Sequence, residues 1–113
     1  MEIKIFVVTS KLKNAMDKSL LDIAKTEVIK LFKGLTVIPE CLGYWINEKG
    51  LTDSDAVETW LIYVEKALTE KLEYETVLKM DVEQQFAKIL KAIKTVTQQS
   101  SQAFAIDNEI NFI

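Results

Sequence analysis

The chain contains no histidine, and all fourteen of its basic residues are lysine. The most frequent general base and metal ligand is therefore missing. So is the arginine fork that grips carboxylates and phosphates at two points. Catalysis would have to rest on Asp, Glu, Tyr or Lys alone, and no catalytic motif is visible. The composition accordingly points to a protein that is not an enzyme, with no catalytic residue, no metal site and no cofactor.

A single cysteine, Cys41, excludes a disulfide within the chain. In "PECLG" it reads as a small buried hydrophobe. One proline, Pro39, and glycines only at 34, 43 and 50 leave no linker, repeat or low-complexity tract, so residues 1–113 form one domain. No apolar run approaches the roughly 20 residues that span a bilayer. The opening "MEIKIFVVTSK" lacks a basic stretch and a small-residue cleavage site, which predicts a first strand and a cytoplasmic protein. A net charge of −3 creates no field that draws nucleic acid. A composition rich in Lys, Asn and Ile is what an AT-rich genome encodes, pointing to a low-GC bacterium, its plasmid or its phage.

Against these absences stand clear elements. "EIKIFVVTS" (2–10) is β-branched and aromatic, a strand. Asn14 caps a helix through "NAMDKSLLDIAKTEVIKLFKG", whose apolar face is Leu20, Ile23, Ala24, Val28, Leu31 and Phe32. Gly34 suits the left-handed residue at its end. "LTVIPECLGYW" (35–45) is extended, with Pro39 marking an edge, bulge or break. Residues 46–55 read as a polar loop with Gly50 at positive φ. "AVETWLIYVE" (56–65) is a strand apolar on both sides. Residues 66–80 remain open, helix by Leu68 and Leu72 or extended by "YETVLKM". Asp81 and Gln84 form a capping box for a helix with the stripe Val82, Phe86, Ile89, Leu90, Ile93 and Val96. "QQSS" ends it, and a final strand follows with Asp107-Asn108 as a hairpin turn.

The order βαββαβ predicts an α+β, ferredoxin-like split βαβ fold: an antiparallel sheet with two helices on one face. The other face is left apolar by Trp60 and Ile62, or by their alternates Leu61 and Tyr63. Trp60, Ile62 and Tyr63 are thus the expected contacts of a homo-oligomer, a trimer or dimer.

Other constellations are weaker. Asp53 and Asp55 share a strand face and can converge on a hard cation, but the further ligands and glycine of a calcium loop are missing. "TSKLKN" before the first helix lacks any phosphate-loop glycine pattern. The sheet aromatics lack the glycine–aromatic run of RNA-binding sheets. Tyr44 and Trp45 are the remaining candidates. Adjacent strand residues point to opposite faces, so one fills a core or contact while the other stays near water.

"GLTVIPECLGYWINEKGLTDSDAVETWLIYV" resembles the second and third strands of the PII/CutA-like group, and "TQQSSQAFAID" resembles the helix-to-strand junction of related small bacterial proteins. The resemblance implies assembly through the second and third strands and partner contacts by the 46–55 loop. Where PII proteins carry a glycine-rich nucleotide turn, this chain has "QQSSQ", and without histidine a CutA-type metal site is not implied. The resulting expectation is a non-enzymatic, oligomeric small-ligand-binding or regulatory protein. Its ligand or partner would touch Tyr44, Trp45, Asn47, Lys49, Asp53 and Asp55. The alternative is a protein-interaction module, such as a phage or plasmid factor that binds a host protein. No nucleic-acid or membrane partner is expected.

Overall fold

The computed structural model describes residues 1–113. Strand β1 (Glu2–Val8) alternates buried and half-buried residues, with Ile3, Ile5 and Val7 inside. It pairs antiparallel with β3 (Thr52–Tyr63) on one side and β4 (Ala103–Ile106) on the other. Strand β2 (Thr36–Ile46) flanks β3, and β5 (Glu109–Phe112) flanks β4. The sheet order is β2-β3-β1-β4-β5, the ferredoxin-like arrangement with one strand added at the edge.

Helices α1 (Ala15–Phe32) and α3 (Thr76–Val96) lie on one face of the sheet. Asn14 caps α1 by accepting from the Asp17 N–H at 2.9 Å. Its buried stripe is Leu21, Ala24, Val28 and Phe32, whereas Leu20 and Ile23 are exposed. The stripe is displaced from the expected one: Leu20 and Ile23 line a surface cleft together with Gln85, Lys88 and Ile89 of α3. Phe32, Phe86 and Phe104 form two edge-to-face pairs, with centroids 5.7 and 5.6 Å apart, that tie α1, α3 and β4 together.

The left-handed residue after α1 is Lys33 (φ 70°), not Gly34. Glycine adopts this conformation freely and lysine does not. Lys33→Gly is therefore expected to raise unfolding free energy by about 0.5–1 kcal/mol, read as a higher urea midpoint at unchanged slope.

Residues 66–80 are helical. Helix α2 (Lys66–Tyr74) buries no residue fully and rests Leu68 and Leu72 on the core. The chain breaks at Glu75 and α3 starts at Thr76, so Asp81 is no cap. It sits inside the helix and accepts from Gln85 Nε2 at 2.8 Å. The final segment is a hairpin as expected: Asp107 and Asn108 have φ of 47° and 68°, the signs that a tight two-residue turn requires.

The β2–β3 hairpin is longer than expected. Pairing continues through Trp45↔Asp53 and Ile46↔Thr52. The connecting loop is thus Asn47–Leu51, with Gly50 at φ 75°. Asp, Ser and Asp are poor strand formers, but the partner strand overrides that preference. A register shift between Ile38 and Cys41 marks a bulge around Pro39, and Glu40 there has φ 59°.

Trp60 and Ile62 are fully buried beneath the helices with Ile3, Ile5 and Val7. Their expected place at a subunit contact is corrected: register with β1, Ile5↔Trp60 and Ile3↔Ile62, puts them on the core face. The alternates Thr59, Leu61 and Tyr63 occupy the open face, where Tyr63 is exposed.

Candidate functional site

On the open face, alternation places Phe6 and Val8 of β1 beside Thr59 and Val57 of β3. Cys41, Gly43 and Trp45 of β2 continue the same face. Residues from both edge strands, β2 and β5, line one cleft of about 550 Å³ here. The sheet therefore curls around its central strands.

The cleft floor is Phe6, Val8, Val57 and Thr59, and its walls are Trp45 on one side and Ile110 and Phe112 on the other. A Cβ on Gly43 would come within 2.9 Å of Val57 Cγ2 and 3.5 Å of the Trp45 ring. Glycine is what lets the indole and Val57 close over the strand. Cys41 Sγ is half-buried and lies 3.7 Å from Thr59 Oγ1.

The rim is polar. It consists of Gln99, Ser100, Ser101 and Gln102 from the α3–β4 connection. Gln102 is only 1% exposed. Its Nε2 donates to the Phe6 carbonyl at 2.7 Å and the Ala103 carbonyl at 2.9 Å, which uses both amide hydrogens. Its Oε1 is buried without a partner. Buried acceptors are nearly always paired, so this atom marks a place where a donor is wanted. No Asp, Glu or Lys lines the cleft.

The expected site residues divide. Tyr44 and Trp45 both line the cleft. Asn47 builds the turn: its Oδ1 accepts from the Lys49 and Leu51 N–H groups, and its Nδ2 donates to Asp53 Oδ2 at 3.1 Å. Lys49 is exposed at the tip of that turn. Asp55 accepts from the Ser10 hydroxyl. Asp53 and Asp55 are thus each held by a neighbour, and no group of carboxylates is placed to hold a metal ion. Gln102, Phe6 and Phe112 were missed. The signal available was "QQSSQ", a polar run that bears a buried side chain.

On the opposite, helix-covered side, Glu58 Oε1 accepts from Trp60 Nε1 at 2.7 Å and pairs with Lys25 Nζ at 3.3 Å. Lys25 also lies 5.7 Å above the Trp60 ring and 3.7 Å from Asp22.

No family model matches the chain, and no curated protein sequence does. Solved structures match in fold. One is a phage SAM lyase in complex with S-methyl-5'-thioadenosine, with TM-score 0.58 and 16% identity, covering 99% of this chain and 87% of that one. Another is the divalent cation tolerance protein CutA1 from Thermus thermophilus, with TM-score 0.48 and 13% identity, covering 100% of this chain and 82% of that one. At these identities the likeness is one of fold. The match to the phage lyase agrees with the small α+β, ferredoxin-like architecture and open antiparallel sheet described above. It also corrects the expectation that the chain is no enzyme: a scaffold matching nearly its whole length is that of a lyase. No helix is long and apolar enough to cross a membrane.

Proposed function

We propose that the chain is an enzyme of the SAM lyase type, with the open-face cleft as its reaction site. The observation that carries this reading is an aromatic cleft of about 550 Å³ that no charged residue lines. The volume suits a small molecule of nucleoside size. A phosphate would find no cation there, so the cleft favours an uncharged nucleoside thioether over a nucleotide. The Gln102 Oε1 acceptor offers a hydrogen bond to a ligand N–H or O–H.

The same cleft suits the chemistry. In S-adenosylmethionine the sulfur carries a positive charge. When the bond from sulfur to the aminobutyrate carbon breaks, sulfur keeps the electron pair and becomes a neutral thioether. The carbon fragment either is closed upon by its own carboxylate, forming the lactone, or loses a neighbouring proton to solvent water. S-methyl-5'-thioadenosine is the product in both cases. An apolar pocket with no compensating anion disfavours the charged sulfonium relative to the transition state, in which that charge is dispersing. An aromatic wall such as Trp45 holds the cation without neutralising it. Neither step needs imidazole or guanidinium. The fold likeness to a phage SAM lyase lends support.

Assembly belongs to this reading. Ile38, Tyr63, Ile110 and Phe112 are exposed, and register puts them on the open face. A sheet face in water is normally polar, so a second copy of the chain is the partner this surface suits, as a dimer or trimer. The same surface supports the second reading, a module that docks on a foreign protein.

Incubation with S-adenosylmethionine is expected to release S-methyl-5'-thioadenosine in many-fold molar excess over protein, seen by chromatography. Calorimetry is expected to show S-methyl-5'-thioadenosine binding about tenfold or more tightly than adenosine monophosphate, the loss that follows when a charge is buried unpaired. Absence of turnover together with equal or no binding of the two ligands overturns the reading.

A further inference from the structure

A second cleft, of about 500 Å³, opens between α1 and the β2 bulge on the helix-covered side of the sheet. Five charged residues line it, and three are already engaged. Lys25 pairs with Asp22 and with Glu58. The two left are Lys18 on α1 and Glu40 at the bulge, one of each sign. No ion pair or side-chain hydrogen bond engages either, and none joins them to each other. Glu40 holds a left-handed φ of 59° that a glycine would adopt without strain. Both charged side chains are exposed, and Leu12, Leu21 and Ala56 line the same cleft.

We propose that this cleft binds a free α-amino acid with an aliphatic side chain. Lys18 takes the carboxylate, Glu40 takes the ammonium, and Leu12 and Leu21 receive the side chain. A ligand with both charges complements both free groups at once. A ligand with one charge leaves the other group unmatched. This site shares only Val57 with the open-face cleft and does not depend on the reaction assigned there.

The test is calorimetry with L-leucine, with 4-methylpentanoate, which lacks the ammonium, and with 3-methylbutylamine, which lacks the carboxylate. L-leucine is expected to bind, and each analogue to bind about tenfold or more weakly, the worth of one hydrogen bond to a charged group. Lys18→Ala and Glu40→Gln are each expected to weaken L-leucine by a similar factor. Glu40→Gly, which relaxes the backbone and keeps the bulge, is expected to lose affinity equally, so that a folding defect is not mistaken for a binding one. Binding of S-methyl-5'-thioadenosine is expected to be unchanged in all three variants. The proposal is overturned if L-leucine gives no binding at millimolar concentration. It is equally overturned if either analogue matches L-leucine, or if the variants retain its affinity.

Discussion

Trp60→Ala is expected to cost about 3–5 kcal/mol of unfolding free energy, the largest single loss available in this chain. Trp60 is fully buried, and it is the bulkiest of the fully buried side chains. Its truncation leaves a cavity under α1 that neighbouring strands cannot fill, because register with β1 holds them in place. It also strips Glu58 of the indole donor at 2.7 Å and Lys25 of the ring beneath its ammonium. Those two groups keep each other at 3.3 Å but lose the wall that shields them. Against a total stability of about 5–15 kcal/mol for a domain of this kind, the variant sits at or near the edge of folding. Urea unfolding followed by circular dichroism measures the loss. A loss under about 1 kcal/mol accompanied by dissociation of an oligomer would return Trp60 to a subunit contact and contradict the core placement.

The second large effect concerns ligand binding. Trp45→Ala is expected to weaken S-methyl-5'-thioadenosine by about 5- to 150-fold, the range that corresponds to removing one aromatic stacking partner worth about 1–3 kcal/mol. Stability should change little, because Trp45 is 38% exposed and packs over Gly43 on a single side. The two readings of the open face separate in the same variant. If Trp45 anchors a second copy, size-exclusion chromatography with light scattering shows a shift toward monomer. If it serves the ligand alone, assembly persists while affinity falls. Retained affinity and retained assembly together would remove Trp45 from both roles.

Local signals in the chain were accurate where one side chain decides a local geometry. Asn14 caps α1 because its short side chain reaches the Asp17 N–H whatever the rest of the fold does. Asp107-Asn108 turns the last hairpin because both residues tolerate a positive φ. Pro39 sits at a strand irregularity because it has no N–H to donate. The capping box at Asp81 failed for the opposite reason. Leu78 packs on the core and carries α3 back past that cap to Thr76. Local capping chemistry is worth about 1 kcal/mol and yields to burial of that size.

The candidate site was half legible. Tyr44 and Trp45 stood out as adjacent aromatics, and both line the cleft. Gln102 did not stand out, because nothing in "QQSSQ" says which glutamine turns inward. That choice is made by the Phe6 carbonyl, 96 residues away.

The kind of fold and the order of elements, apart from residues 66–80, were written in the residues themselves. Periodicity and turn chemistry are local, and a βαββαβ order leaves few ways to bury one face of a sheet. Which apolar face of β3 meets the helices was not written there, since Trp60, Ile62 and their alternates are almost equally apolar. A one-residue change of register exchanges the two faces, and only pairing with β1 selects between them. The curl that brings both edge strands and the α3–β4 connection around one uncharged cleft is likewise a property of the assembled sheet, because its residues meet only when the strands do.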